Sequence, residues 1–173
     1  AERLPTAEEI IEKLGKCIVE AKYDGFRLQL HKDGEKVTIF SRQNENVTQM
    51  FPDIALAVKK QVKAKTIIFE GEALAYSEET QEYFPFQVTM HRKRKYDIDK
   101  KSEEFPLRLF AFDIMFLNGK NSMDLPFKER RKKLDEAITK GNTILLTNAF
   151  ETDDPKKLDE FFLKSIENGL EGI

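Results

Sequence analysis

The sequence predicts a mixed α+β domain, with mainly antiparallel sheets flanked by helices, on three observations. Turn signals sit between strand-like runs: Asp33-Gly34 joins Phe26–Lys32 to Val37–Phe40, and Asn118-Gly119 ends the apolar run Leu107–Leu117. Helical periodicity alternates with these runs, as at Leu158, Phe161, Phe162 and Ile166. No repeat, low-complexity tract or internal linker interrupts the pattern, and 173 residues with a 40% hydrophobic fraction suit one domain with a real core.

Taken in order, Thr6-Ala7-Glu8-Glu9 reads as an N-cap with an acidic first turn. It opens a helix to about Lys13 that Gly15 ends. The apolar run Cys17–Val19 makes a strand that delivers Glu20 and then Lys22, two residues apart and so on one face. Asp24-Gly25 turns the chain into the hairpin, and Ser41–Asn46 leaves it as a polar loop. Phe51-Pro52-Asp53 starts a helix through about Val62, with Ile54, Leu56 and Val58 among its apolar residues.

Thr66–Tyr76 reads as a central strand with Glu70 and Glu72 on one face. Ser77–Glu82 is a turn, and Phe84–Met90 is either a helix or irregular. In the strand Leu107–Leu117, strict alternation puts Phe112 and Asp113 on opposite faces, and an acid embedded there is either paired or functional. Leu125-Pro126-Phe127 leads into a helix through about Ile138. Its Lys128–Lys133 segment, interspersed with acids, reads as an exposed charged face. Thr143–Phe150 is another strand. Asp153-Asp154-Pro155 caps a helix to about Asn168, Gly169 closes it, and Leu170–Ile173 begins a strand.

Composition excludes several classes. No apolar run approaches the roughly 20 residues of a membrane span, and the start of the chain carries no secretory signal. The single cysteine, Cys17, makes no internal disulfide or metal cluster, which fits a reducing, cytoplasmic setting. With 29 basic against 31 acidic residues, nucleic-acid contact has to come from a local patch. The best such patch is His91, Arg92, Lys93, Arg94 and Lys95, five consecutive residues able to carry positive charge. Lys22, at a strand end beside a glycine turn, is a candidate nucleophile. Arg27 and Arg42 are the candidate neighbouring cations.

The segment Glu20–Arg27, E-A-K-Y-D-G-F-R, resembles motif I of the covalent nucleotidyltransferases: ATP-dependent DNA ligases, RNA ligases and mRNA capping enzymes. Its form is most similar to the ATP-dependent DNA ligases of archaea and eukaryotes. Further matches follow in the family's order: Ser41–Asn46 (S-R-Q-N-E-N), Phe69–Ala73 (F-E-G-E-A), Phe110–Ile114 (F-A-F-D-I) and Glu171–Ile173 (E-G-I). Ordered matches from about Leu4 to Ile173 are far more specific than any single one.

The resemblance implies a nucleotidyltransferase core of ATP-grasp-like architecture. It implies that Lys22 attacks the α-phosphate of ATP to form a lysyl-AMP intermediate used to seal nicked duplex DNA. Arg27 and Arg42 would hold phosphate and ribose, and Glu20 would read the adenine amine. Phe112 would stack on the base, Glu72 would contact ribose or metal, and Glu171 would help hold Mg²⁺ or Mn²⁺. The basic run at His91–Lys95 would meet phosphates flanking the nick. It further implies roles in DNA repair, replication and recombination, no membrane association, a nucleoid-associated place if archaeal, and a sliding clamp reached through regions outside this chain. Residues 1–173 would be an adenylation domain incomplete at its C-terminal end, because motif V, the OB-fold and the N-terminal DNA-binding domain are unmatched. Such a chain is expected to seal nicks poorly or not at all. An RNA ligase or capping-type nucleotidyltransferase, and a non-catalytic nucleic-acid-binding fragment of the same fold, are the alternatives.

Overall fold

The computed structural model describes residues 4–90 and 104–173; the basic run His91–Lys95 lies outside them. In chain order the elements are α1 (Ala7–Leu14), β1 (Cys17–Glu20), β2 (Phe26–Asp33), β3 (Lys36–Ser41), α2 (Pro52–Gln61), β4 (Thr66–Ser77) and β5 (Glu82–Tyr83). There follow α3 (Phe86–Thr89), β6 (Leu107–Leu117), β7 (Lys120–Asn121), α4 (Phe127–Ala137), β8 (Ile144–Leu146), β9 (Ala149–Thr152) and α5 (Pro155–Glu167). The backbone divides into two compact units, Ala1–Tyr23 with Thr147–Ile173, and Asp24–Leu146.

The smaller unit pairs β1 with β9 antiparallel, from Cys17 opposite Thr152 to Glu20 opposite Ala149. Thr6 caps α1 by accepting from the Glu9 amide at 3.2 Å, and Asp154 caps α5 by accepting from Lys156 at 3.0 Å. Ala7, Val19 and Leu158 form its small core, with Ile10, Ile11, Cys17, Phe150 and Phe161 packed around it. Burial pushes the Cys17 thiol above its ordinary range, which suits a packing residue rather than a nucleophile.

The larger unit holds a sheet of order β3-β2-β4-β6-β7, with β5 added to β4 and β8 parallel to β6. Every other pairing in it is antiparallel. One face is apolar: Leu28, Leu30, Ile39, Phe69, Leu109 and Ile114 are fully buried with Ile54 and Val58 of α2 and Leu134 of α4. Each such side chain contributes about 1.5–3 kcal/mol of transfer free energy. The alternate residues of β2 and β4 (Arg27, Gln29 and His31; Glu70 and Glu72) therefore occupy the other face. Buried Lys32 runs its stem along the apolar side and donates from Nζ to the Val62 and Ala64 carbonyls, at 2.8 and 2.7 Å.

The expected fold class is the observed one, with local differences. Thr143–Phe150 is two strands, β8 in the larger unit and β9 in the smaller. Phe84–Met90 contains the short helix α3. Leu56 is 52% exposed, because the buried stripe of α2 falls on Ile54, Ala57, Val58 and Gln61, the spacing of one helical face. Shifts of register between β4 and β6 also break the strict alternation of β6. Its core positions run Leu109, Ala111 and then Ile114, so both Phe112 and Asp113 stay half-buried. Among the described residues no helix is long and apolar enough to cross a membrane.

Candidate functional site

In the smaller unit the chain continues past β1 with its backbone still paired. The Ala21 amide donates to the Asn148 carbonyl at 2.9 Å. The Lys22 amide then donates to Gly172 at 2.8 Å, and the Glu171 amide returns to the Lys22 carbonyl at 3.0 Å. This two-bond clamp sets the E-G-I segment beside motif I although Glu171 lies 149 positions after Lys22. The Lys22 ammonium donates to Glu171 Oε2, and both side chains remain half exposed, 55% and 49%. A lysine so placed is held but accessible.

One pleat earlier, half-buried Glu20 accepts a hydrogen bond at 2.6 Å from the hydroxyl of Thr147, which is 5% exposed. Thr147 carried no signal in the sequence. It lies 127 positions from Glu20 and becomes its neighbour only through the β1–β9 pairing.

In the larger unit the motif glycines are required by close backbone approach. A Cβ on Gly25 would lie 2.3 Å from the Ala73 carbonyl oxygen, and one on Gly71 would lie 2.9 Å from the Phe110 oxygen. These contacts bring the start of β2, the E-G-E segment of β4 and the F-A-F-D segment of β6 together. Arg27 stands directly across from Glu72 in the β2–β4 register and lies 5.8 Å over the Phe112 ring. Its guanidinium, however, donates to Glu70.

Glu70 is only 10% exposed in its side chain and also accepts from Gln29 Nε2 at 3.3 Å. Gln29 Oε1 in turn sits 2.8 Å from His31 Nε2. A hydrogen-bond chain thus runs from His31 through Gln29 and Glu70 to Arg27. Burial holds the His31 imidazole below its ordinary range.

Asp113 is paired. Arg130 of α4 donates to it through Nε at 2.8 Å and Nη2 at 3.1 Å, and through Nη1 to the Leu125 carbonyl at 2.6 Å. The Asp113 hydrogen bond raises the Arg130 guanidinium further above its ordinary value. The α4 segment is therefore not a wholly solvated charged face: Arg130 is a fixed strut between helix and sheet.

The structure brings Lys22 beside Glu171 and Glu20 beside Thr147 in one unit, and Arg27 beside Glu70 and Phe112 in the other. Glu72 is half-buried on β4. Arg42 is exposed in the turn after β3 and makes no ion pair among the described residues. Glu70 was visible in the sequence as Glu72's neighbour on the same face, but its burial and its hold on Arg27 were not.

Residues 1–173 match the family model described as "ATP dependent DNA ligase domain" over their whole length. The chain is 53% identical over 173 residues to the "Probable DNA ligase" of Dictyoglomus turgidum, all of this chain against 30% of that protein. It is 45% identical over 174 residues to the DNA ligase of Hyperthermus butylicus, covering 29% of it. The chain thus spans about 30% of the length of the curated relatives it matches. A solved structure of a mycobacterial DNA ligase D complexed with ATP and MES shares the fold. Its TM-score is 0.64 at 21% identity, covering 91% of this chain and 46% of that one.

Proposed function

This chain belongs to the ATP dependent DNA ligase domain family, and we propose that it is an adenylation segment in which Lys22 accepts AMP from ATP. The observation that carries this reading is the backbone clamp between Lys22 and Gly172, which holds a solvent-accessible amine against a glutamate of a second motif.

The ammonium gives one proton to water and the free amine attacks the α-phosphorus in line, losing a second proton to water as the N–P bond forms. The bond to the β-phosphate oxygen breaks, pyrophosphate departs, and a phosphoramidate remains on Lys22. Such a transfer asks the protein chiefly for positioning and charge neutralisation. Arg27 and Arg42 are proposed to neutralise phosphate and hold ribose, because a guanidinium offers planar, multiple donors to oxyanions. Phe112 is proposed to stack on the base, for which an aromatic face contributes about 1–3 kcal/mol. Glu20 is proposed to accept from the adenine amine.

Among the described residues no three histidines, cysteines or carboxylates gather into a cluster. Mg²⁺ needs no such cluster, since it takes one or two carboxylates and completes its shell with phosphate oxygens and water. Glu72 and Glu171 are the residues that would hold it, and Mn²⁺ would suit the same oxygens. The ion supplies charge neutralisation at the phosphates.

In the full reaction we propose nicked duplex DNA as the acceptor, with His91–Lys95 contacting its backbone phosphates. Contact with a sliding clamp and a cytoplasmic location belong to the same proposal. The chain spans about 30% of the length of the relatives it matches, and we propose that residues 1–173 alone self-adenylate slowly and seal nicks poorly or not at all.

The test is prolonged incubation with α-labelled ATP and Mg²⁺. The expected result is one covalent AMP per chain, released again by added pyrophosphate. ATP binding that never yields a covalent adduct overturns the reading.

A further inference from the structure

We propose that Thr147 is a positioning residue for base selectivity: its hydroxyl fixes the Glu20 carboxylate so that a base edge bearing an amine is preferred to one bearing a carbonyl. This rests on the proposed role of Glu20 and adds the residue that makes that role selective.

The contact is short, 2.6 Å between Thr147 Oγ1 and Glu20 Oε1, within the range of a charge-assisted O–H···O⁻ bond. Its direction is set by chemistry, because an ionised carboxylate only accepts and the hydroxyl must therefore donate. The donor is rigid on both counts that matter. Threonine is stiff at χ1, and Thr147 is buried beside a backbone pinned by the Ala21–Asn148 bond at 2.9 Å and the Glu20–Ala149 pairing.

This bond fixes one oxygen of the carboxylate and so helps set its plane; a carboxylate has about four acceptor sites. A carboxylate held in place accepts from an exocyclic amine and repels a carbonyl oxygen at the same position. Without the hydroxyl the carboxylate loses one fixed point, can turn further from the carbonyl, and the repulsion weakens. The hydroxyl therefore acts on discrimination and not on affinity alone. A merely structural threonine would shift stability and leave the preference among bases intact.

Self-adenylation rates are measured against nucleotide concentration with ATP and with inosine triphosphate, which replaces the adenine amine by a carbonyl; where reaction is slow, Kd values replace rates. Thr147→Val removes the hydroxyl and keeps the shape. It is expected to raise KM for ATP about tenfold, the effect of one hydrogen bond to a charged group. The rate at saturation should stay within about threefold, and the preference for ATP should shrink by a similar factor. Thr147→Ser should restore both.

In a Glu20→Gln background Thr147→Val should add little, because the two act through one contact. If Thr147→Val melts early, Thr147→Ala and Thr147→Ser are compared by the same ratio. An unchanged ATP-to-inosine preference in a folded Thr147→Val or Thr147→Ala chain overturns the inference and leaves the adenylation reading standing. A wild-type chain that neither binds ATP nor gains AMP overturns both.

Discussion

Lys22–Glu171 and Arg27–Glu70 join the same charges in different settings. In the first pair both side chains are about half exposed. In the second, Arg27 is 47% exposed while Glu70 is 10% exposed and held on its other oxygen by Gln29. Exposed ion pairs contribute about 0–1 kcal/mol, whereas stripping the partner from a buried charge costs several. The contrast assigns them different work. In the proposed reaction, the group that would release its partner sits in the weak pair, and the group that would keep its place is anchored by a buried carboxylate. The residue types agree: an ammonium is a compact charge that can lose a proton, and a guanidinium is a permanent planar donor.

Substitutions can break that contrast, and the largest effect is expected at Lys22, the member proposed to react. Lys22→Arg keeps the charge but removes the amine, so AMP incorporation should fall to zero while thermal stability changes by less than about 1 kcal/mol; labelled-ATP gels and melting curves report the two. Glu70→Ala should cost about 1–3 kcal/mol in urea denaturation, because it deprives Arg27 and Gln29 of a shared acceptor, with solvent access to Arg27 moderating the loss. It should also weaken ATP binding. Lys32→Met, which keeps the stem but abandons two buried carbonyls, should cost about 1–2 kcal/mol in the same assay.

Glu171→Gln should cost less than about 0.5 kcal/mol. A loss like that of Glu70→Ala would erase the distinction between the pairs.

The smallest effect concerns pH. The folded state holds His31 below its ordinary range, so the unfolded chain binds the proton more readily. That contribution is present above about pH 6.5 and is lost as pH falls toward the lower folded value. His31→Asn should flatten this part of the stability–pH curve, as read by urea midpoints near pH 5 and pH 7.5.

What was legible in the sequence followed from local rules. The Asp33-Gly34 hairpin, the Thr6 and Asp154 caps and the strand Leu107–Leu117 each rest on a few neighbouring residues. The acids sharing a face at Glu70 and Glu72 follow from the period of a strand. What was not legible depended on partners distant in sequence. Thr147 meets Glu20 across 127 positions, Arg130 reaches Asp113 from the following helix, and Glu70 rather than Glu72 takes Arg27. The register shifts of β6 hid the half-buried placement of Phe112 and Asp113, because a bulge has no strong signature in an apolar run. Thr143–Phe150 reads as one strand because its apolar content does not show where the chain leaves one unit for the other.

The proposed chemistry turns on a single amine, that of Lys22. Peptide mapping by mass spectrometry after incubation with ATP and Mg²⁺ tests it most directly. One AMP confined to the peptide carrying Lys22, joined by an acid-labile P–N bond, is the predicted result. AMP on any other residue contradicts it.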